Sequence, residues 1–312
     1  MKTILVLGGF GFIGTNILKY SESLRHKYKM IVFDRFQKHF ADINFTNIYK
    51  VYSGDFSDEY LIDKIFKENK IDMVIHSISA SVPSSSIDNV FDLQFNVIPT
   101  IKLLDIMYAY GVKDLVFISS GGAVYGERSI SEKGHQENEI LYPKSAYGIS
   151  KLTIEKYLYL YSLRYNINSL VLRLSNPYGP YHYSQKQGVI NIALERAIKS
   201  EKFELWGTGE GKKDYIYVED FCRIIFKLIG LPLPKYTILN VGSGEQISVI
   251  DILQTIKEQY ANDFCWKTVD VNNLDVSSFE LNLDELLSLI GDYSFISFRD
   301  GLKLTYQWYS KS

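Results

Sequence analysis

The stretch Thr3-Ile-Leu-Val-Leu-Gly-Gly-Phe-Gly-Phe-Ile-Gly-Thr-Asn16 decides the fold. Its first five residues are an unbroken run of apolar and β-branched side chains, which is typical of a strand buried on both faces of a parallel sheet. Gly8, Gly11 and Gly14 follow, and they allow a sharp turn and a close approach of a ligand to the backbone. A helix is predicted from about Phe12, and its free N–H groups and its dipole favour a phosphate in the turn.

An acidic residue lies downstream of this turn at the spacing of a dinucleotide site. Asp34 ends the second apolar run, Met30-Ile-Val-Phe-Asp34, and lies 34 − 14 = 20 residues after Gly14. A carboxylate at this spacing is typical of an adenosine ribose contact. Because a carboxylate repels a 2′-phosphate, NAD is predicted rather than NADP, although the adjacent Arg35 weakens that preference.

The bulk properties exclude several classes of protein. The chain has 312 residues, 46% of them hydrophobic and 22% charged, which fits a globular protein with one large unit and a smaller lobe, or two domains. A formal net charge of −2 gives no attraction to nucleic acid or to an anionic membrane. No apolar run approaches membrane-spanning length and no secretion signal is evident, so a cytoplasmic location is expected. Cys222 and Cys265 form no metal-binding pattern, and no metal is predicted.

Short apolar runs alternate with helical patterns in the first half of the chain. The predicted strands are 3–7, 30–34, 47–52, 73–77, 114–119 and 169–174, and the predicted helices between them include 58–69, 89–110 and 145–165. This alternation predicts an α/β fold with a Rossmann-type doubly wound parallel sheet.

The regular alternation ends at Arg173-Leu-Ser-Asn-Pro-Tyr-Gly-Pro180. Beyond it, helices are predicted near 189–199, from 220, near 249–260 and near 283–290, strand-like segments at 203–206 and 214–218, and a return strand to the sheet at 237–241. We therefore predict an NAD-binding domain of residues 1–175 plus about 221–250. A smaller α/β substrate-binding lobe would comprise about 176–220 plus 251–312.

A tyrosine and a lysine four residues apart mark a candidate catalytic pair. Tyr147 and Lys151 fall on one face of the predicted helix, so the phenol and the ammonium can point into one cleft. A nearby ammonium lowers the pKa of a phenol and makes it a usable base. Tyr60 and Lys64 have the same spacing, but only Tyr147 follows the fifth strand and its Ser-Gly loop.

Other residues near strand ends leave two interpretations open. Asp55 is either an adenine contact or part of a turn before a helix capped by Asp58. The stretch from His76 to Pro83 offers small residues for a cofactor to pass, while His76 itself is predicted to be structural. Asn96 is either a packed hydrogen-bonding residue or a brace for the catalytic helix.

Together and in order, these motifs resemble the extended short-chain dehydrogenases of the nucleotide-sugar epimerase/dehydratase group, and they are similar to those of UDP-glucose 4-epimerases. The resemblance spans nearly the whole chain. It rests on Gly8-Gly-Phe-Gly-Phe-Ile-Gly14, Asp34, Gly54-Asp55, Asn96, Ser119-Ser-Gly-Gly-Ala-Val-Tyr-Gly126, Tyr147 with Lys151, Arg173-x-x-Asn-Pro-Tyr-Gly-Pro180, Asp214-Tyr-Ile-Tyr-Val-Glu-Asp220 and Asn240-Val-Gly-Ser-Gly244.

The resemblance implies a role for each matching residue. The catalytic residues it implies are Tyr147 as acid and base, Lys151, and Ser120 in place of the usual hydroxyl. The cofactor contacts it implies are Gly8, Gly11, Phe12, Ile13, Gly14, Asp34, Asp55, Phe56, Ser77 and Lys151. The substrate contacts it implies are Ser119, Gly121, Tyr147, Asn176, Gln187, Gly188, Val189 and Lys213. A homodimer through a four-helix contact is also expected from the family.

The chain departs from the family pattern at three positions. The family usually has Ser or Thr three residues before Val-Tyr-Gly, where this chain has Gly121, so Ser120, Ser119 or water must share the proton with the tyrosine. Lys213 replaces the arginine before Asp-Tyr-Ile and contacts phosphate as a point charge rather than bidentately. A second diphosphate-binding arginine is expected near the tail, where Asn272 aligns.

These features predict an NAD-dependent 4-epimerase of a nucleotide-activated sugar. The alternative is an NAD(P)H-dependent 4-ketoreductase of a dTDP- or other nucleotide-linked 4-keto-6-deoxyhexose. A 4,6-dehydratase is disfavoured because Gly122 and Ala123 occupy the positions where that chemistry needs an Asp-Glu pair. A third interpretation is a cofactor-binding homologue with impaired catalysis, which Gly121 supports and which Tyr147 and Lys151 oppose.

Overall fold

A parallel sheet lies at the centre of the larger lobe of the protein. The computed structural model describes residues 1–35, 45–81, 90–126, 134–269 and 278–311. The strands of this sheet are β1 (Lys2–Leu7), β2 (Tyr28–Asp34), β3 (Ile48–Ser53), β4 (Met73–His76), β5 (Asp114–Ser120), β6 (Asn168–Leu174) and β10 (Tyr236–Val241). All neighbours are parallel, in the order β10-β6-β5-β4-β1-β2-β3. The order in which strands are added to the sheet therefore reverses between β1 and β4. A doubly wound sheet binds its ligand at this position.

Helices cover both faces of this sheet. They are α1 (Phe12–Glu22), α2 (Glu59–Glu68), α3 (Ile98–Ala109), which continues a π-helical turn at Leu93–Val97, the short α4 (Gly121–Val124), α5 (Ala146–Tyr165) and α7 (Val218–Leu228). Apolar side chains of α1 and α7 pack on one face, and those of α2, α3 and α5 pack on the other. Because β1 is covered on both sides, its residues Ile4 to Leu7 are all fully buried.

Within the described residues, the smaller lobe has two short sheets. They comprise β7 (Asn176–Tyr178), β8 (Phe203–Trp206), β9 (Lys212–Tyr217), β11 (Gln246–Ser248), β12 (Trp266–Val269) and β13 (Ser278–Phe279). Strand β9 pairs with β7, β11 and β13, and β8 pairs with β12. The helices α6 (Val189–Ile198), α8 (Val249–Tyr260) and α10 (Phe298–Tyr309) enclose a separate apolar core, whereas α9 (Asp284–Ile290) packs on the large lobe.

The predicted doubly wound sheet is confirmed, including the return strand, now β10. The stretch after β5 was expected to be a loop, but it forms the helical turn α4, and α10 was not predicted. Strand β11 pairs with β9 of the small sheet, and apolar side chains of α9 belong to the core of the large lobe. The predicted division into two domains stays a prediction. Pro83 and the predicted helix start at Asn89 lie outside the described residues. Among the described residues, no helix combines the length and the apolarity needed to cross a membrane.

Candidate active site

The glycine loop joins β1 to α1 in a turn that only glycine permits. Gly8 has a φ of 77°, and a Cβ added to Gly14 would lie 2.1 Å from the carbonyl oxygen of Gly8. Helix α1 begins after Gly11, which has no side chain to cap it. The first N–H groups of α1 are therefore available to an anion, as the donor set of a dinucleotide phosphate site requires.

Two carboxylates follow the next two strands. One oxygen of Asp34 accepts a hydrogen bond from the backbone N–H of Phe10 at 2.9 Å, which fixes this carboxylate beside the glycine loop. Asp55 accepts from the Ser57 hydroxyl at 2.6 Å and faces the Arg35 guanidinium at 3.4 Å. The Ser57 hydrogen bonds lower the pKa of Asp55, and Arg35 adds to this effect. Because Arg35 pairs with Asp55, its charge is partly neutralised rather than fully available to a 2′-phosphate.

Two other predicted cofactor contacts have structural partners. The ring of Phe56 is buried and packs edge-on against His76, with ring centroids 5.0 Å apart. The side chain of Phe56 is thus part of the core, and the predicted contact of Phe56 with a cofactor stays a prediction. The hydroxyl of Ser77 donates to the carbonyl of Leu7 at 2.7 Å and ties the end of β4 to the glycine loop.

Tyr147 and Lys151 lie in the first turns of α5, which Ser145 caps by accepting from the N–H of Gly148. Both side chains are nearly buried, with 9% and 4% of their surfaces exposed. The ammonium of Lys151 donates to the carbonyl of Ile118 in β5 at 2.9 Å and lies 5.7 Å from the centre of the Tyr147 ring. The hydroxyls of Ser120 and Ser79 favour the ionised form of the phenol and so act to lower its pKa. The carboxyl edge of the sheet thus brings a phenol, an ammonium and two hydroxyls together.

The pKa values of this pair differ from the sequence-based expectation. Burial raises the pKa of Tyr147 to about 12, and the hydroxyls of Ser120 and Ser79 only partly oppose that rise. Burial also lowers the pKa of Lys151 to about 8. The pKa of Tyr147 was expected to be lowered, but it is raised, because desolvation of the phenol outweighs the effects of the two serine hydroxyls.

Ser119 was predicted to contact substrate, but it is committed elsewhere. Its hydroxyl donates to Glu155 at 2.6 Å and is almost fully buried. Glu155 also accepts from Arg173 at 2.8 Å, and Arg173 donates to the hydroxyl of Tyr125 at 2.9 Å. Ser119 is thus part of a buried polar cluster that joins α5 to β5 and β6, and its predicted contact with substrate stays a prediction.

The space beside Gly121 is filled by the small lobe. A Cβ added at Gly121 would lie 3.1 Å from both methyl carbons of Leu281 and 3.2 Å from the ring of Phe279. These side chains would have to shift by a few tenths of an ångström to admit the Cβ of a serine or threonine. The absence of a hydroxyl at this position therefore accompanies a close apolar contact between the lobes.

The remaining predicted substrate residues lie in the small lobe or at its border. Asn176 donates to the carbonyl of Asp214 at 2.8 Å, and Lys213 is half-buried in β9. Gln187 is exposed, Gly188 has a φ of 92°, and Val189 begins α6. Their side-chain chemistry suits a polar ligand, but they stay predictions. Asn272 lies outside the described residues.

Sequence reasoning did not single out His182 or Asp92. His182 is 6% exposed, packs edge-on against Phe12 with centroids 4.8 Å apart, and lies within 2.5 Å of a Cβ added at Gly188. Asp92 is 1% exposed and its charge raises the pKa of both Tyr147 and Lys151, in each case as a smaller effect than burial. The spacing of Asp92 from Asn96, one helical turn, is the signal that could have found it.

His76 makes the stability of the protein depend on pH. It is buried, its Nε2 lies 3.0 Å from the Thr100 hydroxyl, and burial, with the charge of Lys151, lowers its pKa from 6.5 to about 3. His76 is therefore protonated below about pH 6.5 in the unfolded chain, but only below about pH 3 in the folded protein. Stability should fall as the pH drops below 6.5, by about 1.4 kcal/mol per pH unit from this residue.

Urea unfolding of wild type and of His76→Asn at about pH 7, 6 and 5 measures this contribution. The variant should lose less stability between about pH 6 and 5 than wild type does. His26→Asn, a change at an exposed histidine, should follow the wild-type slope. Equal slopes for wild type and His76→Asn would contradict this account of His76.

Comparisons with known proteins give consistent results. The family model described as the NAD dependent epimerase/dehydratase family matches residues 4–242. A Methanocaldococcus jannaschii protein provisionally assigned as a UDP-glucose 4-epimerase is 33% identical over 82% of each chain. The dTDP-4-dehydro-6-deoxyglucose reductase of Escherichia coli is 30% identical over 81% of this chain and 80% of its own length. The structure of Thermotoga maritima UDP-glucose 4-epimerase with UDP-glucose superposes with a TM-score of 0.89 at 31% identity, covering 99% of both chains.

Proposed function

Because the chain belongs to the NAD-dependent epimerase/dehydratase family, we propose that it is an NAD-dependent 4-epimerase of a nucleotide-activated sugar. The observation that carries the proposal is the meeting of Tyr147, Lys151 and Ser120 at the carboxyl edge of β5, beside a loop suited to a dinucleotide. Family members are enzymes, and the site retains the proton-transfer group that their chemistry needs.

The residues present fit NAD. The uncapped start of α1 would hold the pyrophosphate through Gly11, Phe12 and Ile13, and Asp34 would hold the adenosine ribose. Lys151 would bind the nicotinamide ribose. When bound, the nicotinamide supplies reversible hydride transfer at C4 of the sugar. The Thermus thermophilus UDP-glucose 4-epimerase, which is 28% identical with a TM-score of 0.87, was solved with NAD, which supports this choice of cofactor.

Tyr147 moves the proton in the proposed reaction. Its phenolate accepts the proton of the sugar C4 hydroxyl during oxidation. The phenol returns that proton after the keto sugar has rotated within the site and its other face is reduced. With a pKa near 12, the phenol is almost entirely protonated at neutral pH, so the neighbouring ammonium and hydroxyls must stabilise the phenolate. Lys151 contributes its positive charge below a pKa of about 8.

The second candidate is a 4-ketoreductase, and one observation favours it: the 30% identity to the Escherichia coli reductase over most of both chains. A 4,6-dehydratase is a poorer fit, because Gly122 and Ala123 provide no carboxylic acid in α4. The two leading candidates differ in one measurable property. A reductase consumes reduced cofactor in each turnover, whereas an epimerase regenerates its NAD internally.

The test presents the purified protein with UDP-glucose, dTDP-glucose and a dTDP-4-keto-6-deoxyhexose, each with and without added NADH or NADPH. An epimerised product with no net change in reduced cofactor supports the proposal. Stoichiometric oxidation of NADH or NADPH with the 4-keto sugar identifies a reductase instead. A protein that showed no cofactor binding and no turnover would contradict both enzymatic candidates. This result would support the homologue with impaired catalysis.

We also propose that the protein is a homodimer through α3 and α5. These helices and the residue after α3 expose large side chains to solvent. The exposed fractions range from 41% to 65% for Ile98, Tyr108, Tyr110, Ile149, Tyr159 and Leu163. A single copy of the chain leaves this face uncovered. Covering it with the same helices of a second copy would form an isologous four-helix contact.

Leu163→Asp should dissociate this dimer, because a carboxylate in a buried contact loses its hydration without gaining a partner. Light scattering after gel filtration should give the dimer mass for wild type and the monomer mass for the variant. Leu304→Asp, at another exposed leucine, is the matched control and should remain dimeric. A monomeric wild-type protein would contradict the proposal directly.

A further inference from the structure

A row of buried polar side chains crosses three neighbouring strands of the large sheet. Ser119 of β5, Arg173 of β6 and Asn240 of β10 are partners in register, and all three are almost fully buried. The adjacent positions Leu172 and Leu239 belong to the apolar core. Because burial of a charged or polar group is costly unless that group is paired, this row is expected to serve a purpose other than filling the core.

The carboxylate of Glu155, on α5, lies at the centre of this row. Its Oε1 accepts from the hydroxyl of Ser119 at 2.6 Å and from Nε of Arg173 at 3.3 Å. Its Oε2 accepts from Nη2 of Arg173 at 2.8 Å. Both oxygens are therefore bound, and the carboxylate connects α5 to β5 and to β6 at the same time.

The Glu155–Arg173 pair holds both ends of segment 120–124, which comprises the last residue of β5 and helix α4. Ser119 immediately precedes this segment and donates to Glu155. Tyr125 immediately follows it, and the hydroxyl of Tyr125 accepts from Nη1 of Arg173 at 2.9 Å. One ion pair thus fixes the distance between the two ends of a segment that carries the predicted site residues Ser120 and Gly121.

Segment 120–124 packs on the turn of α5 that carries the candidate catalytic pair. A Cβ added at Gly148 would lie 2.4 Å from the carbonyl oxygen of Ala123, so backbone meets backbone one residue after Tyr147. The ammonium of Lys151 donates to the carbonyl of Ile118 at 2.9 Å, just before the segment begins. A displacement of the segment would therefore change the surroundings of both catalytic side chains.

The network also reaches the small lobe through Asn240. The hydroxyl of Tyr125 donates to Oδ1 of Asn240 at 2.6 Å. The amide nitrogen of Asn240 donates to the carbonyls of His135 at 2.8 Å and Asn282 at 3.2 Å. Leu281, the neighbour of Asn282, lies against Gly121. Segment 120–124 is thus restrained at its ends by the ion pair and on its side by the small lobe.

We propose that Glu155 and Arg173 are positioning residues, which hold segment 120–124 against α5 and so fix the part of the active site beside the Tyr147 phenol. Ser119 and Tyr125 are the two points at which the pair holds the segment. This inference rests on the proposed function, because Tyr147 is the reacting group in that function. It assigns a role in catalysis to an ion pair that the proposed proton transfer does not use.

The test removes the two hydroxyls rather than the charges. Loss of Glu155 or Arg173 would leave a buried charge without its partner and can prevent folding. Ser119→Ala and Tyr125→Phe leave the ion pair intact, and Arg173 keeps a second acceptor for its Nη1, the carbonyl of Glu137 at 3.0 Å.

Two buried hydroxyls elsewhere provide matched controls. Tyr161 lies at the far end of α5 and donates to Asp105 at 2.6 Å. Ser21 lies in the last turn of α1 and donates to the carbonyl of Leu18 at 2.7 Å. Neither contacts segment 120–124 through these hydrogen bonds, so Tyr161→Phe and Ser21→Ala should keep the wild-type kcat and KM.

Rates are measured with the NAD-loaded enzymes on UDP-glucose and, in parallel, on the dTDP-4-keto-6-deoxyhexose with NADH. Ser119→Ala and Tyr125→Phe should each lose about tenfold in kcat with KM within about twofold of wild type, because misplaced reacting groups slow the chemical step more than they weaken binding. The double variant should lose more than the product of the single losses, because neither end then compensates for the other.

Amide hydrogen exchange tests the positioning without a substrate. With NAD present, the peptide that contains residues 120–124 should exchange about tenfold faster in Ser119→Ala and in Tyr125→Phe than in wild type, because the loss of one hydrogen bond lets the segment open more often. The same peptide should exchange at the wild-type rate in Tyr161→Phe and Ser21→Ala.

The outcomes distinguish this inference from the proposed function. An active wild type with unchanged kcat in both Ser119→Ala and Tyr125→Phe overturns the inference alone, even if their melting temperatures fall, because the network is then merely structural. A wild type that turns over neither substrate contradicts the proposed function, and the role in catalysis falls with it. In that case unchanged exchange of residues 120–124 overturns the positioning as well.

Discussion

Replacing Tyr147 by phenylalanine should lower kcat by about 10³-fold with little change in the affinity for NAD, because the variant keeps the ring and loses only the group that moves the proton. The side chain is 9% exposed and lies beside Lys151, whose ammonium is 5.7 Å from the centre of its ring. Steady-state rates on the nucleotide sugar identified by the substrate panel, and NAD binding by calorimetry, measure the two quantities separately.

The chain supplies its own control for this prediction. Tyr60 has a lysine four residues later, Lys64, but it is 80% exposed on the outer surface of α2. Tyr60→Phe should therefore retain the wild-type kcat. A Tyr147→Phe variant that turned over as fast as an active wild type would refute the assignment of Tyr147 as the acid and base. If wild type and variant were both almost inactive, the homologue with impaired catalysis would be favoured.

Replacing Arg173 by methionine should destabilise the protein by about 3–5 kcal/mol, because it leaves the buried Glu155 carboxylate without its cation. Arg173 and Glu155 are 1% and 0% exposed and lie 2.8 Å apart. The change also leaves the hydroxyl of Tyr125 without the donor that reaches it at 2.9 Å. Urea unfolding followed by circular dichroism measures the loss.

An exposed ion pair provides the matched comparison. Arg196 pairs with Glu201 on the surface, with 39% and 45% of the two side chains exposed. Arg196→Met should change the free energy of unfolding by about 0–1 kcal/mol, since water and salt screen such pairs. Similar losses for Arg173→Met and Arg196→Met would show that the buried pair contributes no more than a surface pair.

Local patterns were sufficient for most of the fold. The apolar run from Thr3 to Leu7, the three glycines after it and Asp34 predicted the first βα unit and its dinucleotide site. Strands buried on both faces must be uniformly apolar, and a tight strand-to-helix turn admits only glycine, so these requirements are written in consecutive residues. The same holds for Tyr147 and Lys151, because residues four apart share a helix face.

Packing between distant segments decided what the local patterns left open. Ser119 and Ser120 are adjacent in sequence, yet strand alternation directs one hydroxyl to the buried Glu155 and the other to Tyr147. Tertiary contacts determine which of these two serine hydroxyls points toward Glu155 and which points toward Tyr147. Leu281, from the far end of the chain, closes the space at Gly121, and no local signal links these two residues.

The sequence by itself determined the family, the doubly wound sheet and the identity of the candidate catalytic pair. Only the tertiary structure decided the direction of the Tyr147 pKa shift and the participation of Ser119 in a buried cluster. The physical reason is that desolvation and hydrogen bonding depend on what surrounds a group in space. Residues far apart in the chain supply those surroundings, and a pattern of neighbouring residues does not record them.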